Sequence, residues 1–114
     1  MSDCLFCKII AGEIPADRLY EDDKCLIIKD IGPQAPVHVL VLPKVHFDSL
    51  DKAKAEHQDV LGHLLLTAAD YARSQGFANN GYRVVINTNG DGGQTVFHLH
   101  VHLLAGRPFV FPPG

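Results

Sequence analysis

Runs of lysine or arginine are missing from this chain of 114 residues, whose formal charge is −3. Without a basic stripe there is no electrostatic footprint for nucleic acid or for an acidic lipid surface, so the expected partner is small. No apolar run approaches membrane-spanning length, and no charged segment followed by an apolar stretch opens the chain, so a soluble cytoplasmic protein is expected. Cysteine is scarce and odd in number, three in all, which suits a reducing compartment and disfavours a disulfide framework. Internal repeats and low-complexity tracts are also absent. What is present is 46% hydrophobic residues, enough at this length for one core, and residues 1–114 read as a single domain.

The pattern along the chain is that of an α+β protein. Leu5 to Ala11 has helical spacing at Phe6, Ile9 and Ile10, with Gly12 as a stop signal. Arg18 to Tyr20 and Cys25 to Lys29 are β-rich runs around the turn Glu21-Asp22-Asp23 and read as a hairpin. A third strand is expected from Val37 to Leu42, between the Pro33/Pro36 loop and the residues that follow. From about Ala53 to Gln75 the period changes to helical, with Leu61, Leu64, Leu65, Ala68 and Ala72 on one stripe and Gly76 closing it. A fourth strand is expected over Tyr82 to Asn87 and a fifth over Phe97 to Leu104. Short links join most neighbours, so the sheet should be antiparallel with the long helix on one face. The tail from Arg107 to Gly114 is too apolar for a free end, and docking on a partner subunit is expected.

His98, His100 and His102 alternate with Leu99 and Val101 in the fifth strand, placing three imidazoles on one face and the apolar residues on the other. Polar residues on a solvated strand face are ordinary, but threonine, lysine or glutamate would be commoner there. Same-face neighbours are about 6.6 Å apart, so the outer two histidines stand roughly 13 Å apart at the backbone and cannot easily share one reacting atom. His100 is the natural nucleophile, with His102 close enough to contact the same phosphate. Imidazole attacking phosphorus forms an N–P bond, which costs little if the bond broken is also N–P, and covalent catalysis splits the reaction into nucleotidylation and hydrolysis. Neutral imidazole is abundant at pH 7, so little activation is needed.

Ahead of the triad, the loop Asn89-Gly90-Asp91-Gly92-Gly93-Gln94-Thr95 has glycines that let backbone N–H groups approach an anion, and Thr95 adds a hydroxyl. Glycine also marks plain turns, but a loop feeding three imidazoles looks like a phosphate cradle. Near the start, Cys4 and Cys7 have the C-x2-C spacing of a zinc half-site, which needs two more N or S ligands; several histidines could serve, and two core thiols are the bland alternative. Cys25 sits alone in an apolar strand and is expected in the core. His57 and His63, six apart on the helix, fall on different faces and are expected at the surface.

Across essentially its whole length the chain resembles the histidine triad (HIT) superfamily, in its Hint branch of purine nucleoside phosphoramidases. The resemblance rests on Glu13-Ile14-Pro15-Ala16, Glu21-Asp22-Asp23, the run Asp30-Ile31-Gly32-Pro33-Gln34-Ala35-Pro36-Val37-His38, Gly92-Gly93-Gln94, the triad and Pro112-Pro113-Gly114. It implies a HIT-like five-stranded antiparallel sheet with one long and one short helix, two sheets joining across a homodimer. It also implies a site for purine nucleoside monophosphates and their phosphoramidates in each subunit. His100 would become nucleotidylated, His102 would contact phosphate and His38 would support the nucleophile. Asp30 would accept from the ribose hydroxyls, a role its short charged side chain suits. Phe6, Ile9, Ile28 and Ile31 would line the purine slot, although core packing accounts equally well for any one of them. Asn87, Gly93, Gln94, Thr95 and Val96 would hold the phosphate end. Bacterial members with paired N-terminal cysteines complete a structural zinc site with histidines placed like His46 and His98, and catalysis itself would need no cofactor. Thr95 stands where better-known members have serine, and Phe111 where some have tryptophan.

The function expected is hydrolysis of nucleoside 5′-phosphoramidates to the monophosphate and an amine. Two alternatives are a metal-dependent hydrolase, since histidines at i and i+2 can chelate an ion, and a nucleotide-binding module with vestigial catalysis. A pure binder has no need of the intact set His38, His100 and His102.

Overall fold

The computed structural model describes residues 3–114. Five strands, β1 (Arg18–Glu21), β2 (Cys25–Lys29), β3 (Val37–Pro43), β4 (Tyr82–Val85) and β5 (Val101–Ala105), form one sheet in the order β1-β2-β3-β5-β4, antiparallel throughout. Helix α1 (Leu5–Ile10) packs on one face and helix α2 (Gln58–Gln75) on the other. Covering both faces explains why β2 and β3 read as unbroken apolar runs instead of alternating. Leu26, Ile28, Leu40 and Leu42 meet Phe6 and Ile9 of α1. Their neighbours Cys25, Ile27, Val39 and Val41, with Leu99, Val101 and Leu103, meet Leu64 and Ala68 of α2. Truncating a fully buried member such as Leu64 to alanine costs about 2–5 kcal/mol, from lost transfer energy and the cavity left behind.

Helix α2 begins at Gln58, not near Ala53. Two 3-10 turns, Leu50–Lys52 and Ala55–His57, precede it, and Ala53 and Lys54 between them are extended. Gly76 ends α2 at φ +85, donating to the carbonyls of Ala72 and Arg73, a left-handed cap glycine adopts without a Cβ penalty. Helix α1 stops at Ile10, with Ala11 as its C-cap, and β4 ends at Val85, two residues before Asn87.

The largest departure concerns the expected strand from Phe97 to Leu104. Regular pairing of β5 starts only at Val101, opposite Val41, while β3 itself runs on to Pro43 along β2. Ahead of it, the N–H of Leu99 bonds the carbonyl of Phe47 (2.9 Å), four residues past Pro43, which would face it in the β5 register. Alternation survives, with Leu99, Val101 and Leu103 in the α2-side core. The opposite face is not wet, however: α1 covers it, and His98 and His100 are buried. His57 and His63 are not simple surface residues either. The His57 ring stacks on Phe47 at 4.1 Å between centroids, and His63 Nε2 lies 2.8 Å from Asp22 Oδ2.

The tail is tethered as far as Val110. Arg107 and Arg83 both lie over the ring of Phe109, and Arg83 donates to the carbonyl of Val110 at 2.8 Å. Val110 and Phe111 stand exposed at 75% and 88%. Among the described residues no helix is long and apolar enough to cross a membrane.

Candidate active site

Three imidazoles meet on the α1-side face of the sheet: His38 on β3, His100 just before β5 and His102 within it. His100 and His102 have ring centroids 5.0 Å apart, and His38 and His102 5.2 Å. The order of donors fixes their protons. His100 Nδ1 lies 2.8 Å from the carbonyl oxygen of His98; a carbonyl only accepts, so the neutral ring carries its hydrogen there and Nε2 holds a lone pair. Burial holds the pKa of His100 below the ordinary imidazole value, opposed by that backbone hydrogen bond. The ring is therefore a neutral base or nucleophile at pH 7, presenting Nε2.

The His38 ring takes the other tautomer. Its Nδ1 accepts from the backbone N–H of Gln34 at 3.0 Å, which leaves the hydrogen on Nε2. That N–H faces His102 Nδ1 at 2.9 Å and Asp30 Oδ2 at 3.4 Å. His102, accepting at Nδ1, carries its own hydrogen on Nε2 when neutral; Asn87 Nδ2, 3.5 Å away, is itself a donor, so Asn87 partners this N–H only with its amide turned to present Oδ1. Burial, with the neighbouring His100 and His38, pushes the pKa of His102 down to about 4. The site thus pairs one ring offering a lone pair with one offering an N–H. The resemblance implies that His38 supports the nucleophile; its ring contact here is with His102, and Gln34, which orients it, contributes only backbone and leaves no residue-type signal.

Asp30 accepts from the N–H of Gly32 at 2.7 Å through Oδ1, and this short turn aims its carboxylate at the His38 side. Phe6, Ile9 and Ile28 are buried in the α1-side core, whereas Ile31 is fully exposed. Phe6 stands edge-on to both His98 and His100, at 5.9 and 5.0 Å.

The glycine loop is built as a tight coil. Gly92 passes so close to Thr88 that a Cβ would sit 2.3 Å from its carbonyl oxygen, and Gly93 has φ +86. Gln94 departs from its expected role as a phosphate ligand. Its amide donates to the carbonyls of Asp48 (2.7 Å) and Val96 (3.1 Å), its Oε1 accepts from Asn89 N–H (2.9 Å), and its own N–H goes to Asn89 O (3.0 Å). Every polar group of that side chain is committed to loop backbone. Thr95 is exposed and Val96 half-buried beside it.

Cys4, Cys7, His46 and His98 bring four ligand atoms within 4.8 Å of one another. Cys4 Sγ and His98 Nδ1 are 3.4 Å apart, Cys7 Sγ and His46 Nδ1 3.3 Å, Cys7 Sγ and His98 Nδ1 3.5 Å, and the two Nδ1 atoms 3.0 Å. A tetrahedral zinc with ordinary bond lengths sets its S and N ligands about 3.5 Å apart and its two N ligands about 3.3 Å apart. Outer contacts fix the tautomers: His98 Nε2 is 2.9 Å from the carbonyl of Pro43, and His46 Nε2 is 3.0 Å from Asp48 Oδ1. Both Nδ1 atoms are then lone pairs facing each other, an arrangement that calls for a cation between them. Pro43 and Asp48 were not anticipated; Asp48, two residues after His46, was the more visible of the pair. Cys25, as expected, is core.

A family model for the HIT domain matches residues 11–109. An uncharacterized HIT-like protein of Synechococcus elongatus is 58% identical over 112 residues, covering 98% of this chain and 97% of that one. The purine nucleoside phosphoramidase of Escherichia coli is 45% identical over 106 residues, covering 93% and 89%. Among solved structures, a HIT family hydrolase from Legionella pneumophila superposes with TM-score 0.96 at 45% identity, covering 98% of this chain and 100% of that one. A zinc-bound histidine triad family protein from Mycobacterium smegmatis gives TM-score 0.78 at 36% identity, covering 92% and 76%. With a matching family model across most of its length and relatives this similar, the chain belongs to the histidine triad family.

Proposed function

We propose that this protein hydrolyses purine nucleoside 5′-phosphoramidates to the nucleoside monophosphate and an amine, with residues 1–114 acting as one domain. The observation that carries the reading is the His100 ring, pinned through Nδ1–H to the His98 carbonyl so that Nε2 keeps its lone pair, with the His102 ring 5.0 Å away between centroids. Nε2 of His100 attacks phosphorus, the substrate P–N bond breaks, and the nitrogen takes a proton from solvent to leave as the amine. Water then adds its hydroxyl to phosphorus and gives its other proton back to solvent, releasing His100 as the neutral Nδ1–H ring. His102 donates to a phosphate oxygen, and His38 holds it in the tautomer that can do so. Asp30, with acceptor capacity left beyond Gly32, takes the ribose hydroxyls. Phe6, Ile9, Ile28 and Ile31 border the base, and Asn87, Gly93, Thr95 and Val96 the phosphate; Gln94 shapes the loop. The similarity to the Escherichia coli phosphoramidase supports the choice of substrate class.

Replacing His100 with alanine should lower turnover of an adenosine phosphoramidate by roughly 10^4-fold or more. Brief mixing of the wild type with substrate should leave a nucleotide mass adduct that the variant lacks. Full activity in the variant would end the proposal; tight nucleotide binding without turnover by the wild type would favour the vestigial module instead.

Zinc is proposed at Cys4, Cys7, His46 and His98. Two thiolates and two neutral imidazoles would close its shell without net charge, so the ion would supply folding energy and hold its ligands in place. A homodimer belongs to the same reading. Leu65 and Leu66 on α2, Tyr82 and Val84 on the edge strand β4, and Val110 and Phe111 in the tail are all apolar and exposed, more than a monomer needs. Sedimentation should give the mass of two chains at micromolar concentration.

A further inference from the structure

His98 belongs to two sites at once. Its Nδ1 is one of the four donors of the thiolate–imidazole cluster, and its backbone carbonyl is the acceptor that fixes the tautomer of His100. The residue is fully buried, and its remaining ring nitrogen is tied to the carbonyl of Pro43. Displacing the ring therefore displaces the peptide as well. A second connection runs through α1. Cys4 caps this helix, its sulfur accepting the N–H of Cys7 at 3.3 Å. Between the two cysteines, Phe6 stands edge-on to both the His98 and His100 rings. One helix therefore carries two donors of the cluster and a wall of the reacting imidazole.

With no cation between them, the facing Nδ1 atoms of His46 and His98, 3.0 Å apart, repel. His46 can relieve this by swinging outward, since its side chain is 39% exposed. His98 can relieve it only by moving the backbone that holds His100.

We propose that His98 is a positioning residue through which metal occupancy of the Cys4, Cys7, His46 and His98 cluster holds the His100 nucleophile in its reactive tautomer. The inference rests on the zinc and phosphoramidase readings above and adds a dependence of one on the other. Metal state then sets the rate of nucleotidylation although the ion touches no substrate. Misplacement of a reacting group by an ångström, or loss of an outer-shell support, costs about 10- to 100-fold, and a fall in kcat of that size is expected on metal removal.

The test compares protein as purified, after chelation, and after return of zinc, with zinc measured by elemental analysis and global fold followed by circular dichroism. Two quantities are read at pH 8: kcat on an adenosine phosphoramidate, and the tautomer of His100 from long-range 1H–15N correlations assigned with His100→Ala. The expected result is stoichiometric zinc and an Nδ1–H ring in the loaded protein. Chelation should give a mixed tautomer and a 10- to 100-fold slower enzyme, and zinc should restore both. Zinc bound but without effect on tautomer or rate would overturn the coupling and leave both earlier readings standing. Protein that neither contains nor takes up zinc would overturn the metal reading and the coupling with it. Should turnover be undetectable in every state, the phosphoramidase reading fails, and the tautomer alone decides the coupling. If chelation unfolds the chain, Cys7→Ser, which weakens the site while keeping three donors, is read in the same two ways.

Discussion

Gln94 shows how a residue can look like a ligand and serve as scaffold. Its amide spans the glycine loop, holding the N–H of Asn89 and the carbonyls of Asp48 and Val96 in one buried position. Removing the side chain breaks three hydrogen bonds, each worth about 1 kcal/mol net, and strands backbone groups that were paired. Gln94→Ala should therefore lose about 2–4 kcal/mol of unfolding free energy, read from denaturant midpoints. Gln94→Glu is the sharper probe, because it sets an oxygen against two carbonyl oxygens and should destabilise at least as much although the shape is kept. A phosphate ligand would behave differently, raising KM with little loss of stability, and that pattern would return Gln94 to the binding site.

At the scale of elements, Asp22 ties the β1–β2 turn to α2. One carboxylate oxygen accepts the N–H groups of Lys24 and Cys25, both at 2.8 Å; the other lies 2.9 Å from the hydroxyl of Tyr20 and 2.8 Å from His63 Nε2. Burial works to raise its pKa, but the backbone bond from Lys24, His63, the backbone bond from Cys25 and Tyr20 together outweigh it and hold the carboxyl well below the usual carboxylate range. A group with a depressed folded pKa stabilises fully above its unfolded value, about 3.9, and loses that contribution as pH falls through the folded one. The wild type should thus lose stability progressively below about pH 4, while Asp22→Asn, already weaker at neutral pH, should lose less over the same interval. Parallel profiles for the two proteins would show that the carboxylate does not carry this dependence.

This contact also marks where the sequence stops being readable. The turn, both strands and α2 were each visible from local periodicity, but a bond between residues 22 and 63 leaves no spacing behind. The same holds for the amide of Gln94 reaching Asp48, and for Gln34 turning His38 toward His102. His100 and the cysteine pair were legible because their chemistry is rare at that spacing. The start of α2 was not, because Ala55–His57 is helical in period yet 3-10 in bonding.

At the scale of the molecule, the sheet separates two environments for sulfur. Cys25 lies on the α2 side among Ile27, Val41, Leu64 and Leu103, with no exposed surface. Burial pushes its pKa up to about 11, against a weak hydrogen bond to Thr67 Oγ1 at 3.8 Å. Only the thiolate reacts readily with alkylating agents, so near pH 8 this thiol is protected by both access and protonation. Cys4 and Cys7 are only half-buried, on the opposite side. Because Cys25 has no exposed surface and lies in the core that packs on α2, it can react only when that layer comes away, which amounts to global unfolding. Counting alkylated thiols by mass should therefore give three stages: almost none in the zinc-loaded protein, two per chain after chelation, and the third at the rate at which the chain unfolds in denaturant. Labelling of all three at similar rates under native conditions would mean that the α2 layer opens independently of the rest of the fold.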